Sequence, residues 1–593
     1  MQFCGMALGQ GGLVMRPLRS LLGAGWLGLV CALAVMSCDE AATVSQTPAN
    51  RLVTTAWLAE HLADEDLVVV DARPTAQYLA AHVPGAVSAS FSEADATSRG
   101  RTVSYGGGVD LFLAYDHPRL PFQEGPTAQV EAALRAMGVR KASQVVVYDA
   151  GAHFHAARFL FACEYHGFDR VSVLDGGLGK WLADGRETSV EVPVMPPGDV
   201  ALSGVRPELV ATTDDVLLAQ ADPNAAVVTA LSPDWHFGAT LPYSVAGHIP
   251  AAKMVPMAYF FRDDGTWRSP AQLRALLDVS GVGPGDGVIT YCGGNPLSAC
   301  SYFTLKYVLG QADVRVYAGA YLDWIQDPRD LTVHTWQHPE MLRDSDWIHW
   351  WAGDRIQALM LDAPAVVLDV REAAEYADGH VPWSVNLPMS DAAASSAAQW
   401  ASALGSVGVG NTQEVVVCGE GLSGRVAAAF WLMEYLGHER VSLCAEGMGG
   451  WDARWGLTDE ETIVGQAEHP LDVAIHPTTF FVTEEAGRRV TGAEDAPIHA
   501  SFPRVWVFFG DGQPAGLPVD DFAIVPTGAV FTVDGQLRAA GEVWGAFDAA
   551  GASYFDEVVC AGATLGDAAT CYLALRLLGY PLVRVYVPAG HAL

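Results

Sequence analysis

The stretch EVVVCGEGLSGRVAAAFWLMEYLGHERVSLCAEGMGGW (414–451) opens with an apolar, β-branched run that ends on Cys418. A Gly/Ser loop follows, and from Arg425 to Leu436 the apolar residues recur at helical spacing. The pattern predicts a strand, a tight loop and a helix. At such a junction backbone N–H groups and the positive end of the helix dipole converge on the loop, which favours the thiolate form of a cysteine placed there. Gly419, Gly421 and Gly424 leave room for the backbone to curl around the sulfur.

Upstream, VVLDVREAAEYADGHVPWSVNLP (366–388) adds a strand ending in Asp369 and Arg371, a short helix and a His-Val-Pro turn. Together the two stretches resemble the rhodanese family, in which D-x-R, [GA]-H-[IV]-P and a strand-end cysteine loop occur in this order. The resemblance implies sulfur transfer, the loop cysteine accepting a sulfane sulfur as a persulfide and passing it to a thiol or cyanide. It implies no metal and no organic cofactor.

The unit occurs four times, at the spacing of a small domain. Each copy alternates strands and helices, which predicts α/β tandem rhodanese-like domains, each a parallel sheet with helices on both faces. Copy 1 (51–190) has Asp71, Arg73, His82 and Pro84, but Asp149 stands where the cysteine belongs, and an aspartate carries no persulfide. His153 and His155 read as loop histidines with no third ligand.

Copy 2 (205–335) has CGGNPLS from Cys292 and GHIPAA at 247–252. It departs from the family in having Thr229 and Leu231 where D-x-R is expected. Trp235 stands where tandem sulfurtransferases place a substrate-binding arginine. Copy 3 (345–460) contains the opening stretch, with Glu420 expected to raise the cysteine pKa and Arg425 to offset it. Copy 4 (466–593) keeps Cys560 and lacks a recognisable D-x-R; Asp567 there opposes both thiolate and anionic donor.

Two pairs of domains are therefore expected, with Cys292 and Cys418 as nucleophiles. Gly293, Gly294, Asn295 and Ser298 would line the first loop, and Gly419, Gly421, Ser423 and Arg425 the second. Asp71 with Arg73, and Asp369 with Arg371, read as structural ion pairs. Two other readings remain open: a non-catalytic scaffold, and a Cys-based phosphatase, for which the C-x6-R spacing of Cys418 and Arg425 is one residue too long.

Formal net charge is −34, which argues against nucleic acid as a partner. Arg16 and Arg19 precede an apolar run from Leu21 to Met36, shorter than the ~20 residues of a spanning helix. Val35-Met36-Ser37-Cys38 then resembles a bacterial lipobox. The expectation is a signal peptide over 1–38, lipidation at Cys38, a polar tether over 39–50 and an exported, membrane-anchored chain facing the periplasm, with Met15 as an alternative start. The chain has ten cysteines, none in C-x-x-C or zinc spacing. Cys163, Cys300, Cys444 and Cys571 read as core residues.

Overall fold

A computed structural model describes residues 51–89, 91–98, 101–109, 124–241, 243–294, 296–353, 365–389, 395–460, 462, 488–512, 514, 516–533 and 535–588. The leader, Cys38, the tether and Asn295 lie outside the described residues, as do 463–487 at the start of copy 4. Residues Thr47–Leu593 form one compact unit.

Each copy folds around one five-stranded, all-parallel sheet. Counted within each copy, the strand order is first-fifth-fourth-second-third in all four. The fourth strand is central every time: Gln144–Tyr148, Gly287–Tyr291, Glu414–Cys418 and Glu557–Gly562. These runs are rich in β-branched residues and almost wholly buried, as expected for strands covered on both faces. Six helices border the loops and the seams between copies: α1 (Phe154–Tyr165), α2 (Pro233–His236), α3 (Pro296–Phe303), α4 (Gly424–Tyr435), α5 (Ala540–Ala549) and α6 (Leu565–Leu577).

Helices α1, α3, α4 and α6 each follow a fourth strand, and they pair two by two. In the first pair, Phe161 of α1 meets Tyr302 of α3 edge to face at 5.0 Å, and Lys306 reaches Glu164 at 2.8 Å. In the second, Gly424 of α4 faces Gly566 of α6 so closely that a Cβ on either would lie about 3 Å from the other backbone. There Arg576 meets Glu434 at 2.9 Å, and the Tyr572 hydroxyl donates to Glu434. Glu164 and Glu434 each sit one residue before the end of their helix, so the same carboxylate, tyrosine and cation recur at both interfaces. The chain is two copies of a two-domain assembly.

The two assemblies touch through copies 2 and 4. Phe237, just past α2, lies 6.3 Å from Trp544 on α5, and Tyr259 meets Phe555 at 4.8 Å. Gln337 donates to the Ala252 carbonyl, bonds His236 and packs on Gly579.

Candidate active site

Backbone hydrogen bonds put the four loops in one register. The second residue of each fourth strand, Val145, Val288, Val415 and Val558, donates its N–H to the carbonyl just before the fifth strand. Four residues on lie Asp149, Cys292, Gly419 and Gly562. For the first three the equivalence is marked again at the loop, where the carbonyl accepts from Leu178, Tyr321 and Met448 at 2.8, 2.9 and 3.0 Å. Cys292 therefore occupies the loop position, at the exit of the strand.

Cys418 does not. It pairs across the sheet with Asp369 as Tyr148 does with Asp71 and Tyr291 with Thr229. It is the last residue of the strand rather than the first of the loop. In copies 1 and 2 the tyrosine there accepts a backbone N–H through its hydroxyl, from Val83 at 3.0 Å and Ile249 at 3.2 Å. In copy 3 the shorter Cys418 side chain lies wholly buried against Cys444. Burial, then Cys444 and Asp369, push the Cys418 thiol well above its usual range, while the hydrogen bond from Cys418 holds Cys444 lower. The expected thiolate at 418 is thus corrected: alternation along the strand turns its sulfur into the core, away from the helix end.

The other expectations for copy 3 change with it. Arg425 turns away to an ion pair with Glu375 at 2.7 Å, and Glu420 is an exposed loop residue. Gly421 and Ser423 line a cavity of about 330 Å³ shared with copy 4, with Glu420, Glu446 and Asp567 also on its wall and no thiol among its described lining residues. At Gly419 itself a Cβ would come within 2.6 Å of Val426 Cγ2. In copy 4, Cys560 falls two residues short of the loop and packs against Cys571 in the core, where burial raises its thiol. A Cβ on Gly562 would lie 2.5 Å from Asp567 Cβ. Asp567 caps α6, its carboxylate accepting the Thr564 N–H at 3.0 Å.

Copy 1 displays what the loop offers. The Asp149 carboxylate accepts backbone N–H groups of Gly151 and His153 at 2.9 Å, His155 at 3.2 Å and Ala156 at 3.4 Å. Four donors converge on one anion, so the cradle is filled by the chain's own side chain. His153 is spent on the interface with copy 2, its Nε2 bonding the Gly265 carbonyl at 2.7 Å and its ring packing on Trp267.

In copy 2, Gly293, Gly294 and Ser298 are buried beside Cys292, and the Thr290 hydroxyl donates to the Ser298 carbonyl at 3.1 Å. Cys300 lies in a different apolar cluster from Cys292. The D-x-R ion pairs form as buried forks: Arg73 on Asp71 at 2.6 Å and Arg371 on Asp369 at 2.7 Å, each Arg also bonding a carbonyl of the turn before the motif histidine. They brace the turn. Copy 2 replaces the fork with Thr229, whose hydroxyl accepts the Leu231 N–H at 3.2 Å.

Sequence reading missed Tyr243 and Tyr321, which pack beside Cys292, and the stacking of His236 on His248 at 3.5 Å. The signal was present in the spacing. Tyr78 and Tyr376 stack on a histidine four residues later, whereas His236 precedes His248 by twelve. Burial holds both imidazoles neutral, His236 well below its ordinary pKa and His248 at about 3. Unfolded histidines take up protons near about pH 6.5. Between that pH and the folded values the unfolded chain binds more protons, so stability falls as pH falls. Thermal unfolding should show a lower midpoint at pH 5 than at pH 7, with a smaller drop in His236→Tyr. Equal drops in both proteins would refute the assignment.

The rhodanese-like domain family matches residues 54–184, 212–327 and 354–454, more than half of the chain. Among curated proteins the chain is 29% identical to the 3-mercaptopyruvate sulfurtransferase of Escherichia coli over 283 residues, 45% of this chain and 92% of that protein. It is 28% identical to the thiosulfate sulfurtransferase of Azotobacter vinelandii (47% and 94%) and to the sulfur carrier protein TtuD of Thermus thermophilus (46% and 93%). Among solved structures, the Escherichia coli 3-mercaptopyruvate sulfurtransferase SseA aligns at 28% identity with a TM-score of 0.39, over 46% of this chain and 98% of that one. With three of its four repeats matched at the level of the family, the chain belongs to the rhodanese-like sulfurtransferase family.

Proposed function

We propose that this chain moves a sulfane sulfur from a small-molecule donor to a thiophilic acceptor through a persulfide on Cys292, and on Cys292 alone. One observation carries the reading. Of four positions in the same backbone register, held by Asp149, Cys292, Gly419 and Gly562, only one bears a sulfur nucleophile. The relatives named for thiosulfate and 3-mercaptopyruvate support those two compounds as starting donors.

In the step itself the Cys292 thiolate attacks the outer sulfur of the donor, the S–X bond of the donor breaks, and the remainder leaves with the electron pair. A thiol or cyanide then attacks the outer sulfur of the persulfide, and Cys292 departs as thiolate. On this proposal the Gly293–Gly294 backbone and the start of α3 supply the N–H groups for the persulfide, by analogy with the four that the copy 1 loop gives Asp149. Copies 1, 3 and 4 serve as non-catalytic scaffold. The phosphatase reading loses its basis, since Arg425 is paired with Glu375 and the Cys418 thiol is buried. On the same proposal the chain is exported and lipidated at Cys38, supported by the apolar run from Leu21 to Met36 and the residues that end it.

Intact-mass measurement of the chain from Asp39 onward tests the reading. Incubation with thiosulfate or 3-mercaptopyruvate should add one sulfur atom, mapped to the peptide holding Cys292 and removed by cyanide. Failure of every donor to load the protein would overturn sulfur transfer and leave the scaffold reading.

A further inference from the structure

Copy 2 differs from copies 1 and 3 in the segment that covers its loop. Between the stacked histidines it carries eight more residues than they have between the corresponding tyrosine and histidine. The insertion supplies Tyr243, which joins Trp235 just ahead of it and Tyr321 from later in the chain beside the Cys292 loop. The Tyr243 ring stands perpendicular to Trp235 of α2, with centroids 5.9 Å apart, and lies 5.9 Å from Tyr321. Tyr321 donates its N–H to the Cys292 carbonyl. A Cβ on Gly293 would meet the Tyr243 hydroxyl at 2.2 Å and the Trp235 ring at 3.0 Å, so both rings press directly on the loop. Cys292 itself is 1% exposed, in a cluster with Leu231, Ile249, Tyr243 and Tyr321.

Of the three rings only Trp235 is partly exposed, so it is the one an incoming donor meets first. Its segment is also backed from behind. A Cβ on Gly541 of α5 would lie 2.5 Å from the Ala239 N–H nitrogen, and Phe237 faces Trp544 and Tyr554. Copy 4 thus holds the ring wall against the loop.

A donor that places its outer sulfur on Cys292 must leave its other half against these rings. An apolar or aromatic group there gains by leaving water, while a second negative charge loses its hydration with rings around it. Resting on the sulfur-transfer reading above, we infer that Cys292 takes an organic sulfane-sulfur donor whose leaving half carries an aromatic or alkyl group, in preference to dianionic thiosulfate. Trp235 is the specificity-determining residue. For an aryl thiosulfonate the step balances as thiolate plus ArSO2–S⁻ giving the Cys292 persulfide anion plus ArSO2⁻. One S–S bond forms, one S–S bond breaks, and the sulfinate leaves with the electron pair.

Benzenethiosulfonate and methanethiosulfonate share charge and reacting sulfur and differ in the ring, which makes them the test pair, with thiosulfate as third donor. In the wild-type chain kcat/KM for the benzene compound should exceed that for the methane compound by about tenfold, and that ratio should fall to about one in Trp235→Ala. Benzenesulfinate should inhibit the wild-type chain about tenfold more tightly than methanesulfinate, a comparison that needs no variant. Thiosulfate preferred over both organic donors, a ratio unmoved in Trp235→Ala, or equal inhibition by the two sulfinates would overturn the inference while leaving sulfur transfer at Cys292 standing. No loading of Cys292 by any of the three donors would overturn the underlying reading itself.

Discussion

Cys292→Ser lowers sulfur transfer by at least about a thousandfold, whereas Cys418→Ser and Cys560→Ser leave it at the wild-type rate. The expectation follows from position. A persulfide forms where donors of hydrogen bonds stabilise the new anion, and since all three cysteines are buried it is their place relative to the loop that separates them. Cys292 follows the strand and opens the loop; Cys418 and Cys560 precede it by one and two residues and lie in the core, their thiols raised by burial. Serine at 418 or 560 places a hydroxyl among apolar neighbours, for a stability cost of about 1–2 kcal/mol that a denaturant titration would register. A rate assay with cyanide as acceptor separates the two effects. Loss of transfer in Cys418→Ser with the fold intact would refute the register drawn from the backbone hydrogen bonds.

Glu434→Ala destabilises the second domain pair by about 3–5 kcal/mol. Glu434 is 13% exposed and bonded to Arg576 through both oxygens, with Tyr572 donating to it and Arg488 at 3.9 Å. Its removal leaves Arg576, 20% exposed on α6, without its carboxylate in the seam between α4 and α6. The proximity of Gly424 to Gly566 leaves the helices no slack to bring a replacement group closer. Guanidinium unfolding followed through Trp431, which sits on α4 and donates to the Arg488 carbonyl at 3.0 Å, reads this seam. The double variant Glu434→Leu with Arg576→Met should regain most of the loss, because an apolar pair removes both charges together. A single variant as stable as the wild type would show that the ion pair is dispensable.

Much of this architecture was legible in the chain. Apolar runs of five or six, each followed by small residues and a helical pattern, mark four strand-loop-helix units, and the D-x-R spacing points to the buried forks at Asp71 and Asp369. The misreading at Cys418 has a local cause. VVVCG and ITYCG both present a cysteine before a glycine at the end of an apolar run, and nothing in either string states where the strand stops. A one-residue offset exchanges loop for core because side chains alternate along a strand. Only the bonds from neighbouring strands, such as Val415 to Arg440, count the residues correctly. Tyr243, Tyr321 and the backing by α5 were out of reach for a different reason, since the two rings meet the Cys292 loop, and α5 meets the segment after Trp235, through contacts distant in sequence. The eight-residue excess between His236 and His248 was the visible trace of that wall.

The contacts at Gly419 and Gly562 leave no room for a side chain at these positions of the second pair. A cysteine reintroduced at 419 would strike Val426, and one at 562 would strike the first turn of α6 at Asp567. Each site would need a simultaneous change in its neighbour, so a single mutation that adds a thiol there strains the fold. Placing a thiol at either position is therefore a two-residue problem, one change for the sulfur and one for the neighbour that now fills its space.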